Sequence, residues 1–221
     1  MARLWLRHSV WILLFILTPS AWGLIYTGSL SSSVGEIDGT QGWIDPGPTT
    51  IEWTVTENSD SSWHYEYTLT VPSSQKEISH FIIEVSEGFG DADIFNQTGP
   101  FSKSEIMKHR AGSPGSPGLP DDIYGIKFDD TTGTTLTIAF DSWRRPVWGD
   151  FYAKGGGRPP NEAWNIGFAG PDTDPLDLPA GGSIDNHILV PDTYIPEPAT
   201  FLLLAFGGMI VIKLGRTANS N

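Results

Sequence analysis

Apolar side chains recur at every second position through much of the middle of this chain, and that period restricts the backbone to strands. Successive residues of a strand point to opposite sides, so alternation buries one face and wets the other. Ile51, Trp53 and Val55 share one face. Trp63, Tyr65, Tyr67, Leu69 and Val71 share another, with His64, Glu66, Thr68 and Thr70 opposite. Tyr124, Ile126 and Phe128 repeat the pattern, as do Leu136, Ile138 and Phe140, and then Trp164, Ile166 and Phe168. Ile78 to Val85 is apolar on both parities, which predicts a central strand covered on both sides. The exception is Ser102 to Arg110, where Ile106 is flanked by polar residues; this stretch predicts one short helix.

Turn residues separate the runs: Asn58-Ser59-Asp60, Pro72-Ser73-Ser74, Gly88-Phe89-Gly90 and Asp129 to Gly133. Asp130 to Gly133, set between two alternating runs, predicts a hairpin connection. With 25 Gly and 17 Pro in 221 residues, long helices are disfavoured. The fold class expected is therefore all-β: a single antiparallel β-sandwich, jelly-roll-like, over residues 24–193. Gly112 to Gly118, with two Gly-Ser-Pro triplets, is too short for a collagen repeat and is expected as an exposed loop. Pro171 to Gly182 is expected to run irregularly over the surface.

Charge narrows the partners. The formal net charge is −13, and the two ends mask how acidic the middle is. From Leu24 to Ile195 there are 9 bases and 25 acids, a net of −16. Such a surface repels nucleic acid and anionic headgroups. There are no cysteines, which excludes disulfide frameworks, zinc–thiolate sites and Cys nucleophiles.

The ends read as address labels. Residues 1–23 run from a basic start (Arg3, Arg7) through the apolar Val10 to Leu17, then a Pro, to small residues at Ala21 and Gly23. Ala21 and Gly23 occupy the −3 and −1 positions of a secretory cleavage site. The alternative is an uncleaved anchor, but the apolar stretch is about half the roughly 20 residues that span a bilayer. At the other end, Pro196, Glu197 and Pro198 lead into an uncharged run from Ala199 to Ile212. That run includes Phe201, Leu202, Leu203 and Leu204, then Ile210, Val211 and Ile212, and the bases Lys213 and Arg216 follow. As a helix its 14 residues would reach roughly 21 Å, a weak hold on a bilayer. With the N-terminus exported, Lys213 and Arg216 would stay in the cytoplasm.

This tail, residues 194–221, resembles a PEP-CTERM sorting signal: Pro-Glu-Pro, a transmembrane segment and a basic end, in that order. The resemblance implies processing by the membrane protease-transpeptidase exosortase in an exopolysaccharide-producing envelope of the Gram-negative type. It further implies transient insertion in the inner membrane and then an extracellular or outer-envelope location. Val190-Pro191-Asp192-Thr193-Tyr194 echoes a Gram-positive sortase motif, but Tyr194 stands where that cleavage needs Gly. An ordinary membrane anchor is the other alternative for the tail. Trp148 to Lys154 and Ala163 to Phe168 are loosely similar to segments of uncharacterised PEP-CTERM proteins, which implies no activity.

The middle offers little chemistry. Ser113 and Ser116 lie in a loop whose prolines break the Gly-x-Ser-x-Gly pattern. His64, His80, His109 and His187 are scattered without zinc spacing, and His80 is expected as a satisfied core residue. Among so many acids, a glycosidase-like carboxylate pair arises by chance and discriminates nothing. Calcium suits the oxygen-rich loop at Asp172, Asp174 and Asp177 better than zinc does, and a solvated acidic turn is the competing reading. Gly90-Asp91-Ala92-Asp93 is a smaller version of that loop. Of the tryptophans, Trp53, Trp63 and Trp164 fall on core parities. Trp143 and Trp148, flanking Arg144-Arg145, are the expected ligand-facing pair. The expectation is a non-enzymatic matrix protein without a cofactor, associated with exopolysaccharide. The alternative is a secreted carbohydrate-binding module or weak glycan-active enzyme, with calcium as its metal.

Overall fold

The alternating segments fold as strands, and every pairing among them is antiparallel. The computed structural model describes residues 23–45, 47–73, 75–169 and 181–191. Ala21, Asp172, Asp174, Asp177 and the whole tail with Pro196, Glu197, Pro198, Phe201 to Ile212, Lys213 and Arg216 lie outside the described residues. Within them, no helix is long and apolar enough to cross a membrane.

In chain order the strands are β1 (Ile25–Ser31), β2 (Ile37–Gly39), β3 (Thr50–Glu57), β4 (Trp63–Thr70) and β5 (Ile78–Glu84). Next come β6 (Ile94–Thr98), β7 (Lys103–His109), β8 (Ile123–Asp129) and β9 (Thr135–Ser142). The last are β10 (Pro146–Gly149), β11 (Phe151–Gly155), β12 (Glu162–Asn165) and β13 (Ile188–Pro191). One sheet has the order β1-β3-β4-β9-β6, a second has β2-β12-β11-β5-β8-β7, and β10 pairs with β13 in a separate ribbon. The arrangement is β-sandwich-like.

The core lies where the apolar parities of the two large sheets meet. Val55, Tyr65, Leu69 and Phe140 from the first sheet and Ile83, Ile126, Phe128 and Phe151 from the second are all fully buried. Aromatic rings bridge the gap: Tyr67 meets Phe81 at 6.1 Å between centroids, and Phe128 meets Phe140 at 6.0 Å. Each such side chain contributes roughly 1.5–3 kcal/mol of burial. Tyr67 keeps a partner for its hydroxyl, which donates to the Leu189 carbonyl at 2.8 Å. That bond ties the β10–β13 ribbon into the core.

Strand β5 lies between β11 and β8 and is covered on both faces, as its double apolar parity predicts. Phe81 and Ile83 face the main core. Ile82 joins a second, smaller cluster with Tyr152, Ile123, Leu119 and Phe168, against which Trp164 packs. Part of this outer cover is the Gly/Pro loop. Its outer residues are exposed as expected, but Ser116 and Leu119 are buried against the sheet.

Three local expectations are corrected. Ser102 to Arg110 contains no helix; Lys103–His109 is the edge strand β7, paired to β8. Its charged, weakly patterned sequence suits an edge, where one side meets water and charge discourages further pairing. Asp130 to Gly133 is not a hairpin: β8 pairs with β5 and β9 with β4, so the link crosses between sheets. Backbone bonds fasten this crossing, from Ile78 N to Gly133 O at 2.9 Å and from Val71 N to Thr134 O at 2.8 Å. Finally, the strand through Trp164 stops at Asn165, where a 3-10 turn begins and leaves Ile166 exposed.

Candidate functional site

Trp143 stands just beyond the end of β9, and the residue is 54% exposed. It lies against Phe95 of β6, with centroids 5.2 Å apart and planes inclined by 34°. The register explains what surrounds this pair. Asp141 of β9 is opposite His64 on one side and opposite Phe95 on the other. Three strands thus set an imidazole, a carboxylate and an aromatic ring in one row on the outer face of the first sheet. Asp141 accepts from Asn96 Nδ2 at 2.6 Å and lies 2.7 Å from His64 Nδ1. Burial works against ionisation, but the bonds from Asn96 and His64 hold the Asp141 carboxyl below the usual carboxylate range. It is therefore charged at neutral pH.

The chain following Trp143 is held from several directions. Arg144 Nε donates to Asp93 Oδ1 at 2.9 Å, and its NH2 group donates to Asp93 Oδ2 and to the Gly88 carbonyl. The Tyr65 hydroxyl donates to the Arg144 carbonyl at 2.8 Å. Asp93 is partly buried, which opposes ionisation, yet Arg144 and the Gly90 amide keep its carboxyl below the ordinary range. This carboxylate, one of the two in the smaller acidic turn, is thus already matched by a guanidinium. An exposed ring on a pinned loop loses little freedom when a ligand covers it. Beside it are charged and amide groups able to bond hydroxyls. Such an aromatic face with polar neighbours suits the C–H face and hydroxyls of a sugar ring.

The other expected ligand residue has a different environment. Trp148 is 3% exposed and belongs to the core, on β10 opposite Leu189. Trp143 and Trp148 therefore form no joint surface. Phe95, Asp141, His64 and Asn96 were not marked as site residues by sequence reasoning. The available signal was the polar parity of β4, which puts His64 on the wet face, but nothing local says that β6 and β9 come to lie beside it.

Inside the second sheet, Glu162, Tyr152 and Asn165 are buried and matched. Glu162 is 6% exposed; it accepts from the Gly118 amide at 2.8 Å and from the Tyr152 hydroxyl. Burial, then the neighbouring Glu162, push the Tyr152 phenol far above its ordinary range, so it stays protonated as a donor. Asn165 donates to Asp150 Oδ1 at 2.6 Å and accepts from the Phe151 amide at 2.8 Å. His187 Nε2 lies 3.6 Å from the same Asp150 oxygen. These networks join β11 to its neighbours.

His80 departs from expectation. It is buried within β5, but its Nε2 has no hydrogen-bond partner among the described residues, and its Nδ1 is 4.0 Å from Asp129. Burial, then the charges of Lys127 and Lys154, lower its pKa to about 3, so the ring is neutral. Among the described residues, no group of three or more His, Asp or Glu is arranged to hold a metal ion.

No family model and no curated protein matches this chain. Among solved structures it is similar to the KRT10-binding region domain of the pneumococcal serine-rich repeat protein PsrP, at 12% identity. That match covers 68% of this chain and 92% of the other, with a TM-score of 0.20. At that TM-score neither fold nor ligand carries across.

Proposed function

We propose that the chain is an exported, non-enzymatic protein of the bacterial envelope or extracellular matrix that associates with exopolysaccharide. In this reading residues 1–23 are a signal peptide, and the middle is a jelly-roll-like β-sandwich. Exosortase then acts at the tail containing Pro196, Glu197 and Pro198. The observation that carries it is the order of that tail: Pro-Glu-Pro, a 14-residue uncharged run, and bases only beyond it. A segment that short is a poor permanent anchor and a serviceable transient stop. The test is the intact mass of protein recovered from its native cell surface. The expected mass lacks both residues 1–23 and the apolar tail. A mass that retains Phe201 to Asn221 would overturn the sorting reading.

The Trp143 platform favours a second reading, a carbohydrate-binding module. Its support is the exposed Trp143–Phe95 pair beside Asp141, His64 and Asn96. Affinity electrophoresis through neutral polysaccharides is the check. Retention that Trp143→Ala abolishes is expected, and no retention on any polysaccharide would remove this reading.

A further inference from the structure

In a chain this acidic, the placement of its few bases is informative. Of the nine bases among the described residues, Lys103, Lys108, Lys127 and Arg144 are ion-paired with Glu105, Asp122, Asp129 and Asp93 respectively. Of the five others, three converge on one place. A cavity of about 350 Å³ opens between the Gly/Pro loop and the β11–β12 connection, lined by Pro114, Pro117, Lys154, Gly157, Arg158 and Pro160. Lys76 adjoins it, donating its ammonium hydrogen to the Pro159 carbonyl, with its stem beside Gly157.

No carboxylate lines this cavity. Lys154 Nζ donates to the Gly115 carbonyl at 3.1 Å, a bond that fixes its position, while Glu162, opposite it on β12, has its carboxylate bonded to the Gly118 amide and the Tyr152 hydroxyl. Arg158 is exposed and has no ion-pair or hydrogen-bond partner among the described residues. Of the six other bases among the described residues four are ion-paired, whereas the cavity wall presents Lys154 and Arg158 and no carboxylate. The planar fork of an arginine beside an ammonium matches an oxyanion, above all a carboxylate or a phosphate. The three proline rings add aliphatic surface to the same wall. A bare anion has no use for that surface, whereas a carboxylated sugar has both an oxyanion and a C–H face. The volume lies at the small end of ligand sites, which run from roughly 300 to 1,000 Å³.

We infer that the cavity between the Gly/Pro loop and the β11–β12 connection binds a uronate unit of an acidic polysaccharide, with Arg158 and Lys154 on its carboxylate. This deepens the exopolysaccharide association proposed above by naming the class of sugar. It uses the second sheet, remote in the topology from Trp143, and rests on none of the tail's residues.

The experiment is isothermal titration calorimetry on the full chain in mild detergent. The probes are a short oligogalacturonate, a neutral cello-oligosaccharide of equal length, and inorganic phosphate. In the Trp143→Ala protein, whose aromatic platform is removed, only the oligogalacturonate should bind measurably, and its affinity should weaken as salt rises. The double variant Lys154→Gln, Arg158→Gln should weaken it by about ten-fold or more, the loss expected for charge-assisted bonds. Arg158→Gln alone, at an exposed position, provides the same test should the double variant melt early. Trp143→Ala should leave uronate binding unchanged, which separates this site from the aromatic platform. Equal binding of the neutral oligomer or of phosphate by the Trp143→Ala protein would overturn the inference, as would no binding or affinity indifferent to the Lys154 and Arg158 variants. Because no step involves the tail, that result would leave the sorting reading intact.

Discussion

Trp143 and Trp148 are close in sequence and meet opposite environments. The first follows β9 out of the sheet, while the second enters the ribbon opposite Leu189 and is swallowed by the core. Trp148→Ala should therefore cost about 3–5 kcal/mol in chemical denaturation, whereas Trp143→Ala should stay within roughly 0.5 kcal/mol. His80 makes a second residue-scale prediction. The unfolded chain takes up its proton near pH 6.5, the folded one only near pH 3. The unfolded state thus binds more protons in that window, so stability is full above it and declines as pH falls through it. His109, held below its ordinary range mainly by burial, acts in the same direction. The ionised Asp93, Asp129 and Asp141 lose their contributions only lower, below about pH 4. Melting measured against pH should show a loss on the order of 2–3 kcal/mol between about pH 6.5 and 4.5, which His80→Leu should flatten. An unchanged slope in that variant would discount His80 as the source.

At the scale of elements, the covering of β5 depends on one carboxylate. Glu162 of β12 holds the Gly118 amide of the loop and the Tyr152 hydroxyl of β11 at once. Its own backbone is bonded to Thr40, through its amide and its carbonyl. Glu162→Ala would remove the acceptor shared by the half-buried Gly118 amide and the buried Tyr152 hydroxyl, a loss of about 1–3 kcal/mol. Hydrogen exchange at Gly118 and Leu119 should quicken in that variant, and Glu162→Gln, which keeps an acceptor, should recover most of the protection. Exchange that stays slow in the alanine variant would mean that Leu119 packing alone holds the loop. The double cover of β5 was legible in Ile78 to Val85, because apolar residues on both parities need two apolar partners. Which segments supply the outer cover was not: the Gly/Pro loop carries a single buried leucine and reads locally as surface. The edge strand β7 was misread for a related reason, since an edge needs little apolar periodicity to pair.

At the scale of the whole molecule, net negative charge dominates over local pairing. The ion pairs Lys103–Glu105 and Lys108–Asp122 are largely exposed and contribute little, of the order of 0–1 kcal/mol each. Self-repulsion among the excess acids acts over the Debye length, about 10 Å at 0.1 M salt. Raising sodium chloride from about 0.02 to 0.2 M should therefore raise the melting temperature. A fall would show that the ion pairs outweigh the repulsion. The sequence alone determined the strands with clean alternation, such as Thr50–Glu57, Trp63–Thr70 and Thr135–Ser142, and which side of each is dry, because alternation is a property of a single strand. It also carried the reading of the two ends. Tertiary structure decided the neighbours. The crossing at Asp130 to Gly133 depends on how two sheets stack, while the row of His64, Asp141 and Phe95, and the meeting of Lys154 and Arg158 with the Gly/Pro loop, depend on which strands and loops come to be neighbours. Pairing partners far apart in the chain are chosen by the burial of the whole core, and no local period encodes that choice.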